Sequence, residues 1–400
     1  MGLAAEQWRH RPQGSAALGA IAAHGPDTTP LAEKTLNDVL SAQSQALLAG
    51  DETTFLAAID PAAKTAVAAY KRLYVNLHAL HVTAFIQRAD DGDEPVVSRQ
   101  TFKVGVSYCL LVNSCRFMTA DFSVVVDQVG GRPVIESYTS PKSSRHSWEP
   151  VPWTLATLTV VTGPRVIIAA AGSERSQLAK ALPIAERAAS SADKYAHWGA
   201  PPIYLVYLAG PHESGTWFGG AARNTLGEAM SVSSVDIEVM VVMPQANESR
   251  YAGPGRLSNV IQHEMGHVAT LYGDATDYPD DSLVEGIAEY IAYTGHSSWA
   301  AYRLADTREY VRRGRWSGSC DLTKEIASSD VLTSSAAYGI GYLTIKRLAA
   351  KYGTSKMLDF WGDVEREGWT PQEASLMVFG LSWHTVNADC AKYVHSTLHV

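Results

Sequence analysis

Long apolar runs are missing from this 400-residue chain: no stretch of about twenty uninterrupted apolar residues occurs, so no helical membrane span is expected. An excess of positive charge is missing too. Lys and Arg number 33 against 41 Asp and Glu, a formal net charge of -8, and no basic stripe appears, which argues against a general nucleic-acid or anionic-membrane binder. Cysteine is scarce, with residues only at 109, 115, 320 and 390 and no C-x-x-C pair of the kind that holds zinc. Cys109 and Cys115 flank a short turn where a bridge would fit, and Cys320 with Cys390 would staple the C-terminal helices. Two disulfides would place the chain outside the cytoplasm, the preferred reading, although four buried thiols fit the same residues. Residues 1–30 lack any sustained period and read as a flexible arm; Ser15 to Ala23 is too weakly apolar for a signal-peptide core, so an exported protein would carry its signal or anchor elsewhere. The sequence sets no oligomeric state.

What is present centres on a helix expected over Leu257 to Tyr272, reading His263-Glu264-Met265-Gly266-His267. Four residues apart on a helix of ~3.6 residues per turn, His263 and His267 project from one face and can share a metal ion. Imidazoles at this spacing suit Zn²⁺, and Glu264 lies where it can take a proton from a water that the metal activates. Val260, Ile261, Met265, Val268 and Leu271 are apolar at helical spacing, so the site should be enclosed. A second helix opens at Asp280-Asp281-Ser282 and runs Leu283-Val284-Glu285-Gly286-Ile287-Ala288-Glu289-Tyr290-Ile291. A catalytic zinc needs three protein ligands and an open position, and Glu285 completes a two-His, one-Glu set. Glu289, one turn on, is placed either to orient a zinc-bound imidazole or simply to be a solvated charge.

These two motifs resemble the gluzincin zinc metallopeptidases, in the aminopeptidase-N-like, peptidase MA-like branch. The resemblance implies one zinc per chain held by His263, His267 and Glu285, with Glu264 as general base and acid. It also implies an oxyanion-stabilising tyrosine in a Y-x-x-G element, here Tyr338-Gly339-Ile340-Gly341; the alternative for Tyr338 is an ordinary core aromatic. Aminopeptidases of that branch carry a G-x-M-E-N strand whose acid holds the substrate amino terminus. Here the stretch reads Gly227-Glu228-Ala229-Met230-Ser231, without the acid in the matching place, so endopeptidase action fits at least as well. Either Thr216 to Gly220, with Gly219 and Gly220, or Leu226 to Ser231, with Met230, is expected to offer a strand edge to an extended peptide.

The remaining chain gives an α+β fold in two parts. Residues 31–140 hold helices at Leu31 to Ala49, Glu52 to Leu56 and Pro61 to Leu80, then strands at Val82 to Arg88, Gln100 to Leu111, Arg116 to Gln128 and Pro133 to Thr139. The segment Ala46 to Leu56 resembles the opening of NTF2-like domains, helices on a curved sheet, which implies binding or autoregulation. In the first of these helices Gln43 interrupts an apolar stripe, while His78 and His81 read as structural. Residues 141–160, with Pro150 and Pro152, read as a linker in which Trp148 and Trp153 flank the prolines. Residues 161–400 form the expected metallopeptidase part: strands at Arg165 to Ala170, Ile203 to Leu208 and Val235 to Met243, the metal helix, and a helical end over Ala336 to Tyr352, Ser355 to Glu365, Pro371 to Phe379 and Trp383 to Thr397. The expected reaction is zinc-dependent hydrolysis of a peptide or protein substrate. Its alternatives are a catalytically silent binding or scaffold protein and a maturation peptidase dedicated to one peptide.

Overall fold

A computed structural model describes residues 35–94, 96–110, 118–139, 149–221, 225–233, 236–243, 246, 256–274, 282–294, 301–320, 322–326 and 328–400. Residues 1–30 of the expected arm, Cys115 and most of the Pro-flanked stretch before Trp153 lie outside them.

The first layer is α1 (Leu36–Ala49), α2 (Glu52–Leu56) and α3 (Lys64–Ala79), followed by an antiparallel meander β1 (Val82–Ala89), β2 (Gln100–Leu110), β3 (Met118–Val129) and β4 (Arg132–Thr139). Each start has a local cause. Thr35 and Asp38 form a capping box at α1, and Gly50 ends it in a left-handed conformation at φ 74°. Strand alternation is clean, with Phe102, Val104, Val106 and Tyr108 of β2 buried toward the helices. Gln43 is no interruption. It is buried, and its Nε2 donates to the Phe55 carbonyl at 3.0 Å, tying α1 to α2.

The second sheet has the order β5-β6-β7-β9-β8, from β5 (Thr159–Thr162), β6 (Val166–Ala170), β7 (Tyr204–Ala209), β8 (Gly227–Ser231) and β9 (Ile237–Val242). Its three central strands are parallel and buried on both faces, which explains their largely apolar runs, with Glu238 of β9 the one charged residue among them. The edges β5 and β8 run antiparallel. One face carries α5 (Leu178–Ala192) and α6 (Arg256–Leu271). The other face shares a continuous core with the first layer, joining Tyr207, Met240 and Trp217 to Phe122, Tyr108 and Trp153.

Part of the expected linker is itself packed. Within residues 141–160, α4 (Pro152–Leu155) is built into the shared core. Trp153 is fully buried against Tyr108 and Phe122. Asn76 of α3 donates to the Trp153 and Ala156 carbonyls at 2.7 Å each and accepts from Leu158 N at 2.9 Å. Beyond the sheet the chain is helical: α7 (Ser282–Ala292), α8 (Ala301–Arg312), α9 (Thr323–Ile326), α10 (Val331–Tyr352), α11 (Thr354–Glu365), α12 (Pro371–Phe379) and α13 (Trp383–Leu398). Among the described residues no helix is long and apolar enough to cross a membrane.

The cysteine expectation divides. Cys109 is in a disulfide, while the other half of its expected pair lies outside the described residues. Cys320 and Cys390 are free thiols, fully buried and hydrogen-bonded to each other, so the expected C-terminal staple is not formed and the pair packs as small apolar groups.

Candidate metal centre

Three helices converge on the site, and glycine sets how closely. Gly266 of α6 faces the Ala288 backbone of α7; a Cβ there would stand 3.2 Å from the Ala288 Cα. Gly286 of α7 meets Gly341 of α10, where a Cβ on Gly286 would stand 2.5 Å from the Gly341 carbonyl carbon and one on Gly341 would collide with the Ser282 carbonyl oxygen. Helix backbones can approach this closely only where no side chain intervenes. The N-terminus of α7 is tied as well: Ser282 Oγ donates to the Cys320 carbonyl at 2.9 Å and accepts from Leu322 N at 3.0 Å. At the other end of α6, Arg366 donates to the Thr270 and Tyr272 carbonyls at 2.9 and 3.3 Å.

The clasp brings His263, His267 and Glu285 together. His263 Nε2 lies 3.2 Å from His267 Nε2 and 3.1 Å from Glu285 Oε2, and His267 Nε2 lies 3.5 Å from the same oxygen. Among the described residues this is the one group of His, Cys, Asp or Glu arranged to hold an ion. A tetrahedral Zn²⁺ with ligand bonds of about 2.0–2.1 Å spaces its ligand atoms roughly 3.3–3.4 Å apart. The observed triangle has edges close to that, with two imidazole nitrogens facing one carboxylate oxygen. The residues fit the metal.

Electrostatics agree with a buried cation site. Burial would raise the Glu285 carboxyl, yet the facing imidazoles of His267 and His263 hold it well below the usual range. Burial works against a charged His263, but Glu285, Glu264 and Glu289 outweigh it and raise the imidazole to about 9. Glu264 is buried and raised to about 7, first by desolvation, with both imidazoles opposing and the charges of Glu285 and Glu228 assisting.

Around this triangle the structure sorts the other expected residues. Glu289 is buried, not a solvated charge: its Oε1 lies 3.8 Å from His263 Nδ1 and 2.8 Å from Arg303 Nη2. Tyr338 sits with its ring centroid 6.3 Å from that of His263. Among the described residues strand β8 is an edge of its sheet, and Gly227 faces α6 so closely that a Cβ there would stand 2.7 Å from Glu264 Oε1. Met230 points the other way, packing into the core shared with the first layer, so its side chain does not reach the site.

Gly219 and Gly220 are also displaced from their expected role. Trp217–Gly219 is a short 3₁₀ turn, the two glycines have φ of 80° and 94°, and Trp217 and Phe218 plug the shared core. A chain turning there offers no strand edge. Sequence reasoning missed Arg303 because α8 has no sustained apolar stripe, being broken by Arg303, Asp306, Arg308 and Glu309. It also missed the glycine clasp, although three glycines inside or beside the motifs were the available signal.

No family model matches the chain, and no curated protein matches it. Among solved structures it is similar to an M1 zinc metallopeptidase from Deinococcus radiodurans, at 13% identity and a TM-score of 0.34, with 78% of this chain and 63% of that one covered. It is similar, too, to a two-domain M1 zinc metallopeptidase variant bound to L-tryptophan, at 12% identity and a TM-score of 0.35 over the same shares. The chain thus spans about 63% of the length of these structures, whose titles name zinc metallopeptidases.

Proposed function

We propose that this protein is a zinc-dependent endopeptidase whose ligands are His263, His267 and Glu285. The observation that carries the reading is the triangle of ligand atoms with edges of 3.1 to 3.5 Å, largely buried, beside a buried carboxyl. Bound there, Zn²⁺ would supply Lewis-acid polarisation of a scissile carbonyl and bring the pKa of a water toward ~7. Glu264 takes the proton of the attacking water on its carboxylate and delivers it to the departing amine, acting in turn as general base and general acid. Tyr338 donates its phenolic O–H where negative charge develops on the carbonyl oxygen. Glu289 orients His263. The backbone of β8 pairs with an extended substrate, and the missing side chain of Gly227 lets Glu264 lie directly against that strand. The disulfide at Cys109 supports an extracytoplasmic location.

Elemental analysis of protein purified without added metal, together with cleavage of an unfolded protein substrate, tests this. Wild type and Glu264→Gln should each hold one zinc, with turnover falling at least about 100-fold in the variant. Glu285→Ala and His267→Ala should lose most of the metal. A Glu264→Gln protein that cleaves at the wild-type rate would sink the assignment, and absence of zinc from every form after supplementation would leave a binding or scaffold protein as the better account.

A further inference from the structure

The carboxylates of Glu264, Glu285 and Glu289 are all buried around the metal triangle. A bound Zn²⁺ brings two positive charges against three negative ones, and uncompensated buried charge is costly. Arg303 of α8 supplies a third positive charge. Its side chain is 15% exposed, its Nη2 lies 2.8 Å from Glu289 Oε1, and its Cζ stands 4.3 Å from the centroid of the Tyr338 ring. One guanidinium therefore touches both the carboxylate beside His263 and the aromatic ring beside the site. A planar guanidinium can hold a carboxylate through its edge while stacking on an aromatic through its face, and an ammonium cannot do both.

We propose that Arg303 is a positioning residue of the metal centre, holding Glu289 against His263 through its charge and Tyr338 in place through its flat face. The inference rests on the peptidase reading for its kinetic arm and on the metal site alone for its binding arm. It assigns the two partners different requirements: Glu289 needs a cation, whereas Tyr338 needs the guanidinium plane.

Arg303→Met and Arg303→Lys in the full chain separate these. Zinc affinity is read by competition with a chelator, without turnover, and kcat and KM are read on a peptide substrate. Arg303→Met should weaken zinc binding about 10–100-fold and lower kcat in the same range, with KM moving less. Arg303→Lys should restore zinc affinity to near wild type and leave kcat low. The kcat loss of Arg303→Lys should vanish in a Tyr338→Phe background, because the ring's hydroxyl is what the stacking positions. Wild-type zinc affinity and kcat in Arg303→Met would overturn the proposal. So would equal loss of both properties in Arg303→Lys, or a kcat loss that adds fully to that of Tyr338→Phe. A wild-type chain that binds no zinc would instead overturn the peptidase reading, which the same chelator measurement shows separately.

Discussion

Gly341 shows how much one missing side chain decides. Its hydrogen faces the Ser282 carbonyl oxygen at the start of α7, and the Gly286 backbone lies beside it. A methyl group there meets backbone, not the far end of a flexible side chain, so α7 and α10 must separate. We expect Gly341→Ala to cost about 2–3 kcal/mol in denaturant unfolding. Because α7 carries Glu285 and α10 carries Tyr338, the same change should weaken zinc binding. Gly353→Ala is the control for a generic glycine effect: nothing lies near its missing Cβ, and its φ of 89° strains an alanine, so it should cost stability and leave zinc affinity unchanged.

Among the elements, α4 does most to join the two layers relative to its size. A four-residue helix looks dispensable, yet Trp153 stacks edge-on to Tyr108 with centroids 5.1 Å apart and its backbone is held by Asn76. The proline-rich surroundings suggested a linker because prolines and charges punctuate connections. What the local pattern did not carry was the partner: a buried tryptophan has to be matched by a cavity, and that cavity is lined by Tyr108 of β2 and Phe122 of β3, which are distant in the chain. Trp153→Ala should cost about 3–5 kcal/mol. It should also make the layers unfold in separable steps, seen as non-coincident transitions by tryptophan fluorescence and far-UV circular dichroism. A single coincident transition would mean that the rest of the shared core suffices to couple the layers.

At the scale of the whole molecule, the seam between the layers holds a buried carboxyl. Glu238 of β9 is 1% exposed and its carboxyl is raised to about 8, first by burial, with Tyr207 and Tyr108 offsetting part of the effect and the Asp236 charge adding to it. In the unfolded chain it ionises near the ordinary 4.5. Between those values the folded state holds more protons than the unfolded state. The stability contribution is therefore full below about pH 4.5, falls as pH rises, and is lost once pH passes about 8. The loss is on the order of 5 kcal/mol at 1.36 kcal/mol per pKa unit. Glu238→Gln removes that slope. Denaturant unfolding should show the variant gaining several kcal/mol over wild type between about pH 5 and about pH 9. Parallel pH profiles would show that another group governs the seam.

The sequence by itself determined the spacing of the candidate metal ligands, the helices that carry them and nearly every strand, because these are local properties. His263 and His267 share a face by helical geometry alone, and β2 and β3 announce themselves by alternation. It also carried the expectation that an edge strand lies near the site, which β8 satisfies. Only the tertiary structure decided which of the two candidate segments is that edge, because the reversal at Gly219 and Gly220 depends on Trp217 and Phe218 finding a core in another layer. It alone decided that Cys320 and Cys390 remain thiols, that the stretch around Trp153 is core, and that Arg303, eighteen residues beyond Glu285, returns to touch Glu289 and Tyr338. Such contacts depend on how helices cross, and crossing is set by packing between distant surfaces, which no local pattern of residues encodes.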